Sequence, residues 1–370
     1  MRLWFLTNGY GEDRAAALIA SELLARRSGL EMIAAPLVTP GTEFTGRGVP
    51  VAVTGAAPPS GGFPTASVRT LVRDLPTVPT YFAYVRRLRR LARDTDVFVA
   101  AGDVFLVGLA RLAFGKAGVH VALAKSVYGR PHSRLERALL RRWARLVFAR
   151  DQATAAHLGS HGVRAVFLGN PLIDHLPAAG QHGGTCPLAL LLPGSRFEAP
   201  ANLVKLLDVV TRVDEPAAWV CAWPGAVPIE LGVQAAAGTG WEIVGDHLSR
   251  ANRTVALLAG HFDSLLAGAD IVVGLAGTAN EQAAALGKVV VTFVGCGPQT
   301  TAARMEEQER LLGGAAQFVR GGAADVAAAV SRLLQSPAER SRLGALGIAR
   351  LGPAGGAARI AARLIDELAR

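Results

Sequence analysis

Short apolar runs alternate with amphipathic segments along most of the chain, and this rhythm predicts strands and helices in turn. Leu3–Leu6 and Val97–Ala101 are uninterrupted apolar runs of strand length, whereas Ala15–Arg27 places its large apolar residues at helical spacing. Val49–Thr54 is predicted as a further strand. The same alternation of strands and helices is found in the second half of the chain, where it starts at Leu188–Leu192. Apolar strands separated by helices are typical of parallel sheets covered on both faces. The sequence therefore predicts an α/β protein with doubly wound parallel sheets.

One segment interrupts the rhythm and divides the chain. Asn170–Pro187 is rich in proline and glycine and shows no apolar periodicity, so we predict a linker over residues 171–187. Residues 1–170 then form an N-terminal domain, residues 188–352 a second domain and residues 353–370 a C-terminal helix. A chain of 370 residues suits two domains. In such folds, ligands bind outside the carboxyl ends of the strands, so the strand-to-helix loops are the places to seek chemistry.

The charges are divided unevenly between the two halves. Residues 1–180 carry 23 basic and 12 acidic side chains, a net charge of +11, whereas residues 181–370 carry 16 and 17, a net charge of −1. Arginine, which suits fork-shaped contacts with phosphate, outnumbers lysine, and it clusters with aromatic residues in segments 81–93 and 130–145. This asymmetry indicates an anionic partner, either nucleic acid or an anionic membrane. The membrane is favoured because no nucleic-acid-binding module is recognisable.

Several sequence features argue against a metalloprotein and against a membrane-spanning protein. Proline and glycine interrupt the long uncharged stretches, and the three cysteines suggest neither a disulfide framework nor a metal cluster. His157 and His161 lack the glutamate of a zinc-binding HExxH helix and are expected on the surface. Asp94 and Asp96 precede a strand, so we expect solvated turn residues there. The sequence predicts neither a metal ion nor a cofactor.

Two loops of the first domain carry acids directly after predicted strands. The loop at residues 7–13 has glycines that allow a tight turn, and its two acids either serve in catalysis or cap the next helix. Asp103 follows a buried strand, which makes it a candidate general base, although an N-cap role fits equally well. The candidate residues of this domain are Asn8, Gly9, Gly11, Glu12, Asp13 and Asp103.

Two loops of the second domain suit an anion. At Leu191–Glu198 a strand ends in a Pro-Gly turn, followed by the hydroxyl of Ser195 and the guanidinium of Arg196, which suit a diphosphate. At Val273–Gln282 a second glycine turn begins a helix, and Glu281 either accepts hydrogen bonds from ribose hydroxyls or serves its own helix. The candidates are Gly194, Ser195, Arg196, Glu198, Gly277, Thr278, Ala279, Glu281 and Gln282.

These motifs resemble those of the lipid-A-disaccharide synthase family. Leu191–Glu198 resembles its donor-site signature, and Leu168–Asp174 resembles its turn into the second domain. Asp103, with the strand before it, resembles the segment that carries the family's base, and Gly352–Ala361 resembles the C-terminal helix of many GT-B glycosyltransferases. Because the loops at residues 8–13 and 100–105 are shorter than the family's, the chain is most similar to the synthase-related branch.

The resemblance implies a GT-B fold, in which two Rossmann-like domains face each other across a cleft and the C-terminal helix crosses back to the first domain. It also implies an inverting, metal-independent transfer of an N-acetylhexosamine or an acylated derivative from a UDP-sugar to a lipid acceptor. This would occur in the cytoplasm, at the inner face of the cell membrane.

The resemblance also implies roles for particular residues. Asp103, or else Glu12 or Asp13, would deprotonate the acceptor, and Gln299 or Gln308 would contact the donor sugar. Two alternatives stay open. One is a UDP-sugar 2-epimerase, which needs no acceptor, and the other is a non-catalytic protein that binds nucleotide sugars or lipids.

Overall fold

The structure is a computed structural model that describes residues 2–27, 29–56, 75–93, 96–180 and 183–369. The chain divides into two compact units. Unit 1 comprises Met1–Asp174 together with Pro353–Arg370, and unit 2 comprises His175–Gly352. The first crossing between units therefore falls after Asp174, within the segment that the sequence assigns to a linker.

Unit 1 is built on a parallel sheet of six strands in the order β2-β1-β3-β4-β5-β6. The strands are β1 (Arg2–Thr7), β2 (Glu31–Pro36), β3 (Val97–Gly102), β4 (Gly118–Ala122), β5 (Ala144–Ala149) and β6 (Ala165–Val166). The helices described in this unit are α1 (Tyr10–Arg26), α2 (Thr42–Thr45), α3 (Val78–Leu91), α4 (Val104–Phe114), α5 (Arg134–Trp143), α6 (Gln152–Ser160) and the last helix of the chain, α14 (Gly356–Leu368).

Helices cover both faces of this sheet. Successive strand residues point to opposite faces, so Leu3 and Phe5 of β1 pack with α1 and α14, whereas Trp4 and Leu6 pack with α3 and α4. Burying a large apolar side chain contributes about 1.5–3 kcal/mol, so both layers stabilise the sheet. The predicted α/β class with a doubly wound parallel sheet is confirmed.

The returning helix α14 is held at its start by Asp174. The Asp174 carboxylate accepts hydrogen bonds from the backbone N–H groups of residues 355–357, which an α-helix leaves without internal partners. Gly169 has φ +101°, and a Cβ there would lie 2.5 Å from Nη2 of Arg359 and 2.7 Å from the Pro353 carbonyl. The segment that resembles a family motif at Leu168–Asp174 thus anchors α14 within unit 1.

Unit 2 is built on a sheet of eight strands in the order β14-β13-β12-β7-β8-β11-β10-β9, parallel except where β10 pairs with its neighbours. The strands are β7 (Leu188–Leu192), β8 (Ala218–Trp223), β9 (Glu242–Val244), β10 (His247–Arg250), β11 (Arg253–Ala259), β12 (Ile271–Gly274), β13 (Val289–Thr292) and β14 (Ala316–Phe318). The helices are α7 (Ala199–Val210), α8 (Ile229–Ala237), α9 (Phe262–Gly268), α10 (Thr278–Ala285), α11 (Ala302–Leu312), α12 (Ala323–Gln335) and α13 (Pro337–Leu351).

The structure differs from the sequence-based expectations at several elements. The strand predicted at Val49–Thr54 is wrong: only Val51 bridges to Ala34, and Pro50 has no N–H to extend the pairing. Helix α13 was missed, although its start is readable, since Ser336 caps it and Pro337 occupies its first position. Asp94 and the predicted loop at Pro58–Ser67 lie outside the described residues.

Candidate functional site

The acids of unit 1 meet where two neighbouring strands, β1 and β3, end. β1 and β3 are parallel neighbours, so the loops that follow them emerge side by side at one edge of the sheet, here called the carboxyl edge. Asn8 and Glu12 follow β1, and Asp103 follows β3. The fold therefore brings together residues that lie about ninety positions apart in the sequence.

Asp103 both caps a helix and stands in the candidate site. Its Oδ1 accepts a hydrogen bond from the backbone N–H of Leu106 at 3.0 Å, which begins α4. The side chain of Asn8 lies against Gly102, the residue that precedes Asp103. Burial raises the pKa of Asp103, although the hydrogen bond from Leu106 opposes the increase, because a poorly solvated carboxylate is disfavoured. The carboxyl is thus suited to take up a proton.

Glu12 lies at the start of α1, beside the same edge. Its side chain folds back over Gly9, so that Glu12 Oε2 occupies the place where a Cβ of residue 9 would be. Burial raises the pKa of Glu12, the negative charge of Asp103 raises it further, and the positive charge of Arg150 opposes the increase. Glu12 and Asp103 are therefore two partly exposed carboxyls of reduced acidity at one edge of the sheet.

Asp13 has a different environment from its neighbour. It is 2% exposed, and its two carboxylate oxygens accept hydrogen bonds from the hydroxyls of Thr7 and Thr39. Burial raises its pKa, although both threonines favour the charged form. The Asp13 carboxylate thereby joins the start of α1 to the end of β1 and to the loop after β2, and its role as an alternative base stays a prediction. Gly11 lies nearby on α1, with the side chain of Leu172 3.8 Å from where a Cβ would be.

Charged residues that the sequence analysis missed surround these acids. Lys125, in the loop after β4, lies 2.7 Å from Glu136 of α5, and Arg150, directly after β5, donates to the Leu123 carbonyl at 2.9 Å. The charges of Lys125 and Glu136 act on Asp103 and that of Arg150 acts on Glu12. The sequence could have indicated both residues, because Lys125 and Arg150 each closely follow a predicted strand.

In unit 2, the two candidate anion loops lie against each other. The backbone N–H of Leu275 donates to the Leu192 carbonyl at 2.8 Å; Leu192 ends β7, and Leu275 directly follows the neighbouring strand β12. Gly194 has φ +91°, and a Cβ there would lie 3.0 Å from the Leu275 carbonyl. Glycine is therefore needed for this close approach. The stretches 191–198 and 274–282 are neighbours in space.

The surface of these loops offers hydrogen-bond donors. Ser195 and Arg196 are exposed, as are Gly277 and Thr278 on the neighbouring loop. Gly277 precedes the first residue of α10 and supplies no side chain to cap it. The first backbone N–H groups of a helix have no internal partners and carry a partial positive charge, so this end of α10 attracts anions. Ala279 and Glu281 complete the first turn, both partly exposed.

Asn202, which sequence reasoning missed, joins two of the site loops. This buried residue of α7 donates through Nδ2 to the Pro193 carbonyl at 2.9 Å and accepts through Oδ1 from the Cys296 N–H at 2.6 Å. It thereby links the loop after β7 to the loop after β13. Gln299 lies in the second of these loops, partly exposed, and the Glu198 carboxylate packs close to Gly297 there.

Gln308 supports the second anion loop from beneath. It is 6% exposed, accepts from Asn280 at 2.8 Å, and donates to the carbonyls of Ala276 and Gly277 at 3.2 and 3.0 Å. Its amide is used within the protein, so of the two predicted sugar contacts, Gln299 is the one whose side chain is partly exposed. Gln282 is also buried, and its amide lies 3.4 Å from the ring of His175.

Other polar residues lie away from these sites. Asp96 is buried and accepts hydrogen bonds from the indole N–H of Trp4 at 3.1 Å and the Arg93 N–H at 2.6 Å, so its assignment to a solvated turn is wrong. The rings of His157 and His161 contact each other in a tilted arrangement, with their centroids 4.6 Å apart and their planes at 52°. Among the described residues, no group of three or more metal-ligating side chains comes together, and no helix is long and apolar enough to span a membrane.

Comparisons with known proteins bear on the fold. No protein-family model matches the sequence, and no curated protein matches it. Among solved structures, the chain is similar to the calicheamicin glycosyltransferase CalG4, with 19% identity, TM-score 0.66 and coverage of 100% of this chain and 98% of that one. MurG of Acinetobacter baumannii matches with 15% identity, TM-score 0.63 and 99% coverage of each chain.

A third similar structure is the UDP-GlcNAc 2-epimerase of Neisseria meningitidis bound to UDP-GlcNAc. It has 13% identity and TM-score 0.61, and the match covers 99% of this chain and 100% of that one. At these identities the likeness concerns the fold. Together with the two parallel sheets described above, it shows that this chain has the GT-B fold, with two Rossmann-like domains.

Proposed function

We propose that this protein is an inverting glycosyltransferase that moves an N-acetylhexosamine, or an acylated derivative of one, from a UDP-sugar to a lipid acceptor. Unit 2 binds the donor and unit 1 supplies the base. The observation that carries the proposal is the pairing, in unit 2, of the uncapped start of α10 with the exposed loop that contains Ser195 and Arg196.

The donor side of the proposal follows from charge. When the sugar leaves, the diphosphate gains negative charge, and donors that already point at it stabilise the transition state. The guanidinium of Arg196 and the backbone N–H groups of Thr278 and Ala279 supply such donors from two adjacent loops. Glu281, in the first turn of α10, accepts hydrogen bonds from ribose hydroxyls in this proposal. The similar epimerase structure that holds UDP-GlcNAc supports a nucleotide sugar as the ligand.

The acceptor side follows from the carboxyls of unit 1. A base that removes a proton from a hydroxyl works best when its pKa approaches the working pH, and burial raises the pKa values of both Asp103 and Glu12. Asp103 is the proposed base. Glu12 is the second candidate, because it lies at the same carboxyl edge.

Exposed apolar side chains support a lipid acceptor and a membrane surface. Tyr10 (74% exposed), Phe105 (50%) and Leu135 (68%) each lie in the first turn of a helix that follows a strand, and therefore at the same carboxyl edge as the carboxyls. Phe82 of α3 is 69% exposed, and the arginines that follow it in α3 are exposed too. Apolar side chains flanked by cations suit anionic lipid surfaces. We accordingly propose peripheral binding at the cytoplasmic face of the cell membrane.

Turnover with candidate substrates tests the proposal. The protein is incubated with UDP-N-acetylhexosamines, with and without vesicles of total lipid extract, while UDP release and lipid masses are followed. We expect UDP release that requires lipid, together with a lipid whose mass increases by one sugar residue. Interconversion of the UDP-sugar without lipid would instead establish the 2-epimerase alternative, which the similar structures also include. Binding of UDP with no turnover would indicate a binding protein.

Vesicle binding tests the membrane surface separately. We expect the protein to sediment with vesicles that contain phosphatidylglycerol but not with pure phosphatidylcholine, and increasing salt should weaken this binding. The double variant Phe82→Ser/Leu135→Ser should bind at least about tenfold more weakly, because two exposed apolar side chains no longer enter the interface. Leu231→Ser, at an exposed leucine of unit 2, is the control and should bind as the unsubstituted protein does. Equal binding to both vesicle types would contradict the proposal.

A further inference from the structure

One buried side chain, that of Gln308 in α11, binds two consecutive carbonyls of the loop before α10. Its Nε2 donates to the carbonyls of Ala276 and Gly277 at 3.2 and 3.0 Å, and its Oε1 accepts from Nδ2 of Asn280 at 2.8 Å. A carboxamide nitrogen carries two N–H bonds, which suffices for one to each carbonyl. Because carbonyls only accept hydrogen bonds, the nitrogen of the amide must face the loop and its oxygen must face Asn280.

Asn280 and Thr292 bind the same loop three residues before Gly277. Asn280, in the first turn of α10, is 0% exposed, and its Nδ2 donates to the Gly274 carbonyl at 3.1 Å as well as to Gln308. The hydroxyl of Thr292, at the end of β13, donates to the Gly274 carbonyl at 2.7 Å. Side chains from α10, α11 and β13 therefore hold the carbonyls of this loop on the buried side.

The bound carbonyls determine where the neighbouring N–H groups point. In a trans peptide group, the C=O and the N–H point in opposite directions. The Ala276 carbonyl shares a peptide group with the N–H of Gly277, and the Gly277 carbonyl shares one with the N–H of Thr278. Since Gln308 binds both carbonyls, both N–H groups point away from it, and Gly277 and Thr278 are exposed. Among the described residues, the place where a Cβ of Gly277 would be is open, so a ligand can approach this backbone.

We propose that Gln308 is a positioning residue for the donor diphosphate: it holds the carbonyls of Ala276 and Gly277 so that the N–H groups of Gly277 and Thr278 donate to phosphate oxygens. This inference rests on the proposed function, in which this loop binds the diphosphate, and it adds the Gly277 N–H to the donors of that site. Successive N–H groups on one side of the backbone form a concavity that suits an anion. Donors that are oriented before the ligand binds need no reorganisation when charge develops. Gln308 itself need not touch the ligand.

Binding of inorganic pyrophosphate tests the inference without turnover. The amide resonance of Gly277 is followed by NMR in protein labelled with ¹⁵N-glycine, and Gly277→Ala identifies it. We expect pyrophosphate to shift this resonance in the unsubstituted protein. Gln308→Met, which keeps the length of the side chain but has no N–H donor, should bind pyrophosphate about tenfold more weakly. Gln317→Met is the matched control, because Gln317 of β14 also donates to a backbone carbonyl, that of Gly314 at 2.9 Å, and its replacement should leave the affinity unchanged.

The possible outcomes separate the inference from the proposed function. Unchanged pyrophosphate affinity in a folded Gln308→Met, together with weakened affinity in Arg196→Ala, would overturn the role of Gln308 and leave the diphosphate site in place. A Gly277 resonance that does not respond to pyrophosphate in the unsubstituted protein would contradict both. If Gln308→Met does not unfold cooperatively on heating, Gln308→Glu at about pH 8 takes its place, since a carboxylate still accepts from Asn280 but cannot donate, and the same loss is expected.

Steady-state kinetics supply a second readout. If Gln308 positions the loop, Gln308→Met should raise the KM for the UDP-sugar about tenfold and leave the KM for the lipid acceptor unchanged. A merely structural defect reduces the fraction of active protein, so it would lower kcat and leave both KM values unaltered. That second pattern would overturn the inference.

Discussion

Asp103→Asn lowers kcat about 10²–10⁴-fold and, at neutral pH, increases the free energy of unfolding. Asparagine has the same shape and keeps an oxygen that can accept from the Leu106 N–H, so the start of α4 is preserved. What it removes is the group that accepts the proton. It also removes a poorly solvated negative charge, which destabilises the folded protein.

The pH dependence of this gain in stability has a definite sign. Folding raises the pKa of Asp103, so between the unfolded and the folded pKa the folded state still holds a proton that the unfolded state has lost. As the pH rises through this range, the folded state loses the proton as well. The free-energy cost of the poorly solvated carboxylate then lowers the stability of the folded protein. Below the unfolded value of about 3.9 both states are protonated and the cost is absent. The stabilisation by Asp103→Asn should therefore be largest near neutral pH and vanish as the pH falls to about 4. Urea denaturation at several pH values measures it.

Asp151→Asn is the matched control for this experiment. Asp151 caps α6 in the same unit and accepts from the Thr154 N–H at 2.7 Å, much as Asp103 caps α4. Its replacement should leave kcat unchanged. If Asp103→Asn instead turned over within threefold of the unsubstituted protein, Asp103 would not be the base, and Glu12 would take its place in the proposal.

Arg196→Ala weakens UDP binding and lowers kcat/KM about 10- to 100-fold. A hydrogen bond to a charged partner contributes about 1.5–3 kcal/mol, and the diphosphate would lose a guanidinium donor. Arg196→Lys should restore only part of this loss, since an ammonium group is a point charge without the planar fork. Calorimetric titration with UDP and steady-state kinetics measure the two effects.

Arg212→Ala is the control for Arg196. Arg212 is also an exposed arginine of unit 2, but it lies just beyond α7, where it pairs with Asp208 at 3.0 Å. Its removal changes the net charge by the same amount and should leave UDP affinity unaltered. Unchanged affinity in Arg196→Ala would show that the loop at residues 194–198 does not bind the diphosphate.

Much of the fold could be predicted from the local pattern of apolar residues in the sequence. Apolar runs such as Leu188–Leu192 and Ile271–Gly274 coincide with strands because a buried parallel strand is apolar along its whole length. The missed hairpin β9–β10 is polar and exposed along most of its length, so no apolar period marks it. The glycine turns at Gly194 and Gly277 were found because a strand-to-helix loop needs them, and the structure places their loops side by side.

The sequence by itself determined the α/β class, the division of charge and which loops follow strands, because periodicity and composition are local properties. Only the tertiary structure decided which polar side chains are used inside the protein. Asp13 meets Thr39, Asp96 meets Trp4 and Gln308 meets Asn280, each across 26 or more positions of chain. A side chain's burial and hydrogen-bond partners depend on distant residues, and no local pattern records them.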